Sequence, residues 1–143
     1  MKKLFVLLFI VALAAPIFAS TPNGIKVPQK AKDALTKSFP DAKNIKWEKE
    51  GNAFEANFES KNAKASIVVD ANGIITETEA VIEKSQLPKG VENYIEKNHK
   101  NFKISEVSKI VNDKNITTYE VEVSNGKTKK DLFFDNDGKF LKK

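Results

Sequence analysis

Cysteine and arginine are both absent from the 143 residues, and there is one histidine, His99, and one tryptophan, Trp47. Each absence closes off a class of function. Without cysteine there is no thiol nucleophile and no thiolate ligand for a structural zinc, and no disulfide can staple the fold, which must stand on its apolar core. One imidazole is too few for a zinc site built on histidines. His99 is flanked by Asn98, Lys100 and Asn101, which offer neither the acid nor the serine that a Ser-His-Asp arrangement needs, so a structural position at a helix end is expected. Without arginine, the chain lacks the planar fork that reads phosphate and guanine in bidentate fashion.

All 24 basic residues are lysines, set against 19 acidic residues for a net charge of +5. Setting aside Lys2 and Lys3 leaves 22 lysines against the same 19 acids, a net +3. So mild and interspersed an excess promotes solubility and leaves no electrostatic footprint for nucleic acid, and no nucleic-acid partner is expected.

Lys2 and Lys3 precede an apolar run over residues 4–18 that is interrupted by Pro16 and followed by Ala19. Fifteen residues fall short of the roughly 20 a bilayer-spanning helix needs, and the layout is that of a secretory signal peptide over residues 1–19. The expectation is export to the periplasm or the medium, with no stable membrane insertion once the signal is removed. Residues 20–26, with Pro22 and Gly24, read as a mobile lead.

The remainder contains an internal repeat, which decides the architecture. Tyr119, Val121, Val123, Leu132, Phe134, Asp135 and Gly138 fall 65 residues after Phe54, Ala56, Phe58, Ile67, Val69, Asp70 and Gly73. Val27-Pro28, Ala31 and Leu35 recur 60 residues later as Leu87-Pro88, Val91 and Ile95, so five residues have been added to the second copy, most simply around 106–115. Ala31, Leu35 and Phe39 make one apolar helical stripe, and Val91, Tyr94, Ile95 and Phe102 make the other. Alternation over 54–58 and 63–69, joined to weaker segments at 45–48 and 74–82, predicts four strands after the first helix. The second copy predicts strands over 104–111, 116–123, 128–134 and 139–142. The expected class is α+β, with αββββ repeats over 27–83 and 84–143 forming an antiparallel sheet that two helices cover on one face. The halves are expected to share one core, because neither is large enough to stand alone without disulfides.

The helix opening at Val27-Pro28, the run Phe39-Pro40-Asp41-Ala42, Trp47 and the turn Asp70-Ala71-Asn72-Gly73 together resemble the PepSY-like domain of exported bacterial proteins. Leu87-Pro88 and Asp135-Asn136-Asp137-Gly138 fit as a second copy, which lacks the Phe-Pro-Asp-Ala helix end and the tryptophan. The tandem arrangement is similar to the fold of the β-lactamase inhibitor protein, in which a concave sheet grips a partner. The resemblance implies export and a binding or inhibitory role, and it supplies no catalytic residue.

No catalytic, metal or cofactor site is expected. The Asp135–Gly138 turn leaves too few residues after it for the twelve-residue calcium loop and reads as a hairpin turn. Glu55, Glu120 and Glu122, with Lys64 and Lys129 as cross-strand neighbours, read as a solvated face. Phe133, Val68 at the matching place, and Leu141 are apolar residues in outward phase, and outward apolar residues mark interaction surfaces. The expected docking face is therefore Val68, Phe133 and Leu141 with Lys64, Lys129, Glu120 and Glu122, and the expected partner is another envelope or secreted protein. Two alternatives are a small-ligand carrier with a pocket between helices and sheet, and a weak hydrolase, which would need two carboxylates converging in one cleft.

Overall fold

The computed structural model describes residues 24–141; the signal segment, most of the lead and the last two lysines lie outside the described residues. Helix α1 (Gln29–Ser38) is followed by β1 (Lys43–Glu50), β2 (Ala53–Ser60), β3 (Ala63–Val69) and β4 (Ile75–Val81). A short 3-10 turn (Lys84–Gln86) leads to α2 (Val91–Asn98), then β5 (Lys103–Asn112), β6 (Thr117–Ser124) and β7 (Lys129–Asp135). The seven strands form one antiparallel meander in sequence order, with the helices on one face and the other face open.

The alternating pattern explains the layering. Phe54, Ala56, Phe58, Ile67 and Val69 point under α1, where Ala31 and Leu35 close the packing. Tyr119, Val121, Val123, Leu132 and Phe134 do the same under α2, against Val91 and Ile95. Trp47, partly buried, packs on the first cluster. The two clusters are separate, which corrects the expectation of one shared core. What the halves share is the sheet, through the β4–β5 pairing of residues 77–81 with 108–112. Each fully buried Leu, Ile or Phe contributes about 1.5–3 kcal/mol, so each half owns a small but complete core.

Two other expectations need correction. Of the expected strand 139–142, Lys142 lies outside the described residues, and the described residues 139–141 form no strand: only Phe140 pairs, through a single bridge to Phe134. Phe140 turns into the aromatic cluster of Tyr94 and Phe134, with its ring 4.8 Å from that of Tyr94, and side-chain packing there replaces further ladder bonds. Helix α2 begins at Val91 rather than at Leu87-Pro88, because Gly90 takes φ +95° at the N-cap and breaks the turn before it. The added residues of the second copy are spread over a longer β5 and a longer β5–β6 turn. His99 caps the C-terminus of α2, the structural position expected of it.

The acidic glycine turns tie the helices to the sheet. Asp70 Oδ1 accepts the N–H groups of Asn72 and Ile74, and Asp135 Oδ1 accepts those of Asp137 and Lys139, the same bonds one repeat apart. Each turn then brings a glycine with positive φ against the start of its helix. A Cβ on Gly73 would lie 2.7 Å from the carbonyl oxygen of Lys30, and one on Gly138 would lie 2.6 Å from that of Lys89. The turns are the hairpin hinges the sequence predicts, and in addition each one seats a helix.

Candidate functional site: the open sheet face

The strand register sets out the open face row by row. One row runs Glu48, Glu55, Val68, Glu77 and Asn112 across β1 to β5. The next runs Lys46, Asn57, Ser66, Glu79, Ile110, Thr118 and Asp135. Beyond these, Ser108 faces Glu120 and Glu120 faces Phe133, while Glu106 faces Glu122 and Glu122 faces Asp131. Between the rows the twisted sheet encloses a concavity of about 400 Å³, lined among others by Lys46, Glu48, Ser66, Glu79, Ser108 and Glu122. It lies on the face opposite the helices, whereas the helix–sheet space is filled by the two cores, which does not favour a ligand pocket there.

All seven residues expected at the docking face belong to this side of the sheet or its border. Leu141 donates its N–H to the Phe133 carbonyl at 2.8 Å, which brings the chain end alongside Phe133. Lys129 pairs with Glu122 at 2.9 Å, and Lys64 pairs with Glu106 at 3.2 Å. Val68 and Phe133 do not form one patch. They stand on β3 and β7, four strand spacings or about 19 Å apart. Each is instead half-buried against a carboxylate: Val68 lies opposite Glu55, and Phe133 lies opposite Glu120, the same pair one repeat later. These two glutamates are 5 % and 8 % exposed. The apolar residue in outward phase is thus the wall that keeps water from its glutamate.

The solvated-face reading is therefore wrong for Glu120 and for Glu55. Burial, reinforced by Glu50, Glu48 and Glu79, pushes the Glu55 carboxyl up to about 7. Glu77, on the other side of Val68, is also raised to about 7, by burial and by Glu79 and Glu50. Burial raises Glu79 and Glu50 as well. Glu122 behaves in the opposite way. Burial alone would raise it, but the Ser105 hydroxyl at 2.6 Å and the Lys129 ammonium outweigh that and hold it below the usual range.

Sequence reasoning missed Glu48, Glu50, Glu77 and Glu79 as members of the site. The signal was present in the outward phase of Glu77 and Glu79, which reads equally well as a weak, polar edge.

A model of the family described as "Putative beta-lactamase-inhibitor-like, PepSY-like" matches residues 22–77 and again residues 65–142. The chain belongs to this family. Among solved structures, this PepSY-like protein is similar to a BLIP-like protein of Bacteroides fragilis, at 27% identity and a TM-score of 0.64 over 84% of this chain and 86% of that one. It is also similar to a chain of Bacteroides eggerthii described as a "putative periplasmic" protein, at 17% identity and a TM-score of 0.72 over 81% and 86% of the two chains. A DUF2874 family protein of Bacteroides uniformis matches at 19% identity and a TM-score of 0.70 over 80% and 86%. No curated protein matches the sequence. Among the described residues no helix is long and apolar enough to cross a membrane, and no group of His, Cys, Asp and Glu side chains is placed to hold a metal ion.

Proposed function

We propose that this PepSY-like protein is an exported, non-enzymatic binding module that docks another envelope or secreted protein on its open sheet face, with inhibition of an enzyme as the form of docking its family description suggests. The observation that carries the reading is the concavity of about 400 Å³ on the face opposite the helices, together with the glutamates buried on that face, Glu55 opposite Val68 and Glu120 opposite Phe133. A fold that only needed solubility would leave those carboxylates in water, since burying them opposes folding. Export is supported by the expected signal segment and by the description of the Bacteroides eggerthii chain.

Carboxylates do converge on this face, as a hydrolase would require, and Glu48 lies directly opposite Glu55. What favours binding over acid–base chemistry is that other acids beside Glu55 are raised with it and that the lowered acid of this face, Glu122, lies far off. Hydrolysis of a glycoside needs one carboxyl kept protonated within about 5–10 Å of one kept ionised. The acids beside Glu55 include Glu50 and Glu79, both raised themselves. Glu122, which is held ionised, stands on β6, four strand spacings or about 19 Å from Glu55 on β2.

The test is affinity capture from envelope and culture fractions with Phe133→Asp beside the parent, and with Glu96→Lys on the exposed side of α2 as a control. The expected result is that Phe133→Asp loses the captured protein while its circular dichroism is unchanged, and that Glu96→Lys keeps it. Full capture by Phe133→Asp would remove the open face from the interaction.

A further inference from the structure

The open face is chemically uneven, and the unevenness indicates what it takes. On its β1–β4 half, Glu48 lies directly opposite Glu55, and Val68 separates Glu55 from Glu77, while Glu79 lies opposite Ser66 one row away. Like charges facing one another across strands weaken a sheet. The lysine of β3 on this face, Lys64, is drawn to Glu106 on β5. Two carboxylate oxygens, Glu55 Oε1 and Glu50 Oε2, are buried without a hydrogen-bond partner. An acceptor in that condition costs the fold about 1–3 kcal/mol, more when it is charged, and only an N–H or O–H donor offsets it.

We infer that the β1–β4 half of the open face is a socket for a cationic side chain, lysine or arginine, presented by a polypeptide partner. The inference rests on the reading of the open face as the docking surface and names the chemistry of what docks. Charge complementarity carries it. Five carboxyl groups, Glu48, Glu50, Glu55, Glu77 and Glu79, gather around two unpartnered acceptors, and an ammonium or guanidinium brings both the donors and the compensating charge. The aliphatic stem of either side chain fits the half-buried Val68 that lies between Glu55 and Glu77. Glu48 and Glu79 also line the concavity, which gives the segment that bears the cation room on the same face.

Protonation opposes this binding. The charged groups around Glu55 and Glu77 are Lys46, Glu48 and Glu50 on β1, Lys64 on β3 and Glu79 on β4. Both carboxyls gain their charge as pH rises through about 7, so the socket is filled best above that value.

The probe is penta-lysine amide in 0.15 M salt, with penta-serine amide as the neutral counterpart, followed by backbone amide shifts of the protein. The expected result is a set of shifts confined to β1–β4 around Glu55, absent with penta-serine, with affinity about tenfold weaker at pH 5.5 than at pH 8. Glu55→Gln/Glu77→Gln should lose about tenfold at pH 8, Glu77→Gln alone should lose part of that, and Glu122→Gln should change affinity less than about twofold. Unaltered affinity in the double variant, shifts centred on Glu106 and Glu122, or no shifts at all would overturn the socket. None of these bears on the open face as a docking surface, which fails separately if Phe133→Asp still captures its partner.

Discussion

The two copies of the repeat share a skeleton and differ in how they treat the charges on its open side. Under each helix the same positions are filled, and behind each apolar residue in outward phase lies the same glutamate, Glu55 in the first copy and Glu120 in the second. In the second copy a neighbouring acid, Glu122, is satisfied within the protein by Ser105 and Lys129. Acids face one another across strands in both copies, but in the first the buried oxygens of Glu50 and Glu55 lack a hydrogen-bond partner. One half of the face is electrostatically closed and the other open. Duplication supplies two equal frames, after which each frame can serve a different purpose, and the unsatisfied one is the candidate for binding.

The largest effects should come from what the copies have in common. Gly73 and Gly138 both hold positive φ with a helix-start carbonyl where a Cβ would go. Alanine at either should cost about 2–5 kcal/mol from overpacking and left-handed backbone together. Urea denaturation should show the loss at both sites. A mild effect at only one of them would mean that the two turns do not seat their helices alike.

Intermediate effects should have opposite signs in the two copies. In the folded protein Glu55 and Glu77 hold their protons up to about pH 7, whereas unfolded glutamate releases them near 4.5. The native state therefore binds more protons than the unfolded state across that window, and stability falls as pH rises from about 4.5 to about 7. Glu55→Gln removes part of this penalty and should gain about 2 kcal/mol at pH 8, with little gain at pH 4.5. Glu122→Gln should instead lose about 0.5–1 kcal/mol at pH 8, because a favourable, partly exposed pair is broken. Thermal melts of both variants at the two pH values check the comparison; a loss for Glu55→Gln at pH 8 would contradict the account of the first copy.

Much of the frame was legible because it is local. Alternation at 54–58, 63–69 and 119–123 places side chains on faces without any knowledge of what packs on them, and the 60- and 65-residue offsets place the insertion in β5 and its turn. Depth was less legible than side. The phase of Glu55 says that it faces away from α1, but not that Val68 and a twisted sheet bury it there. Separate cores were hidden for a similar reason, since chain length limits total burial and says nothing of how burial is divided. The end of the chain deceived through composition: residues 139–142 carry a strand-like phase, but the stacking of Phe140 on Tyr94 decides its position. The outward phase of Phe133 is visible in the alternation of the sequence, whereas its partner Glu120 follows only from the register.

The smallest effect isolates a place where the copies solve one problem differently. The β2–β3 turn, with Lys61 and Asn62 at positive φ, is held from a distance by Asp41, whose carboxylate accepts the Ser60 hydroxyl at 2.9 Å and the Lys61 N–H at 2.8 Å. This gives a physical role to the aspartate of the Phe-Pro-Asp-Ala run. The second copy has Asn101 at that position, and its β6–β7 turn is capped locally by Asn125, whose Oδ1 accepts the N–H groups of Lys127 and Thr128. The Lys61 N–H, with Ser60, lowers the Asp41 carboxyl below its ordinary value of 3.8. Its contribution is therefore present above about pH 4 and is lost as pH falls through the lowered value. Asp41→Asn should give a small drop in melting temperature at pH 7 that disappears in strong acid, whereas Asn125→Ala should give a drop of similar size that is independent of pH. Hydrogen exchange at the Lys61 amide should rise in the first variant and stay unchanged in the second. Equal pH dependence in the two would show that the turns are held by the same means after all.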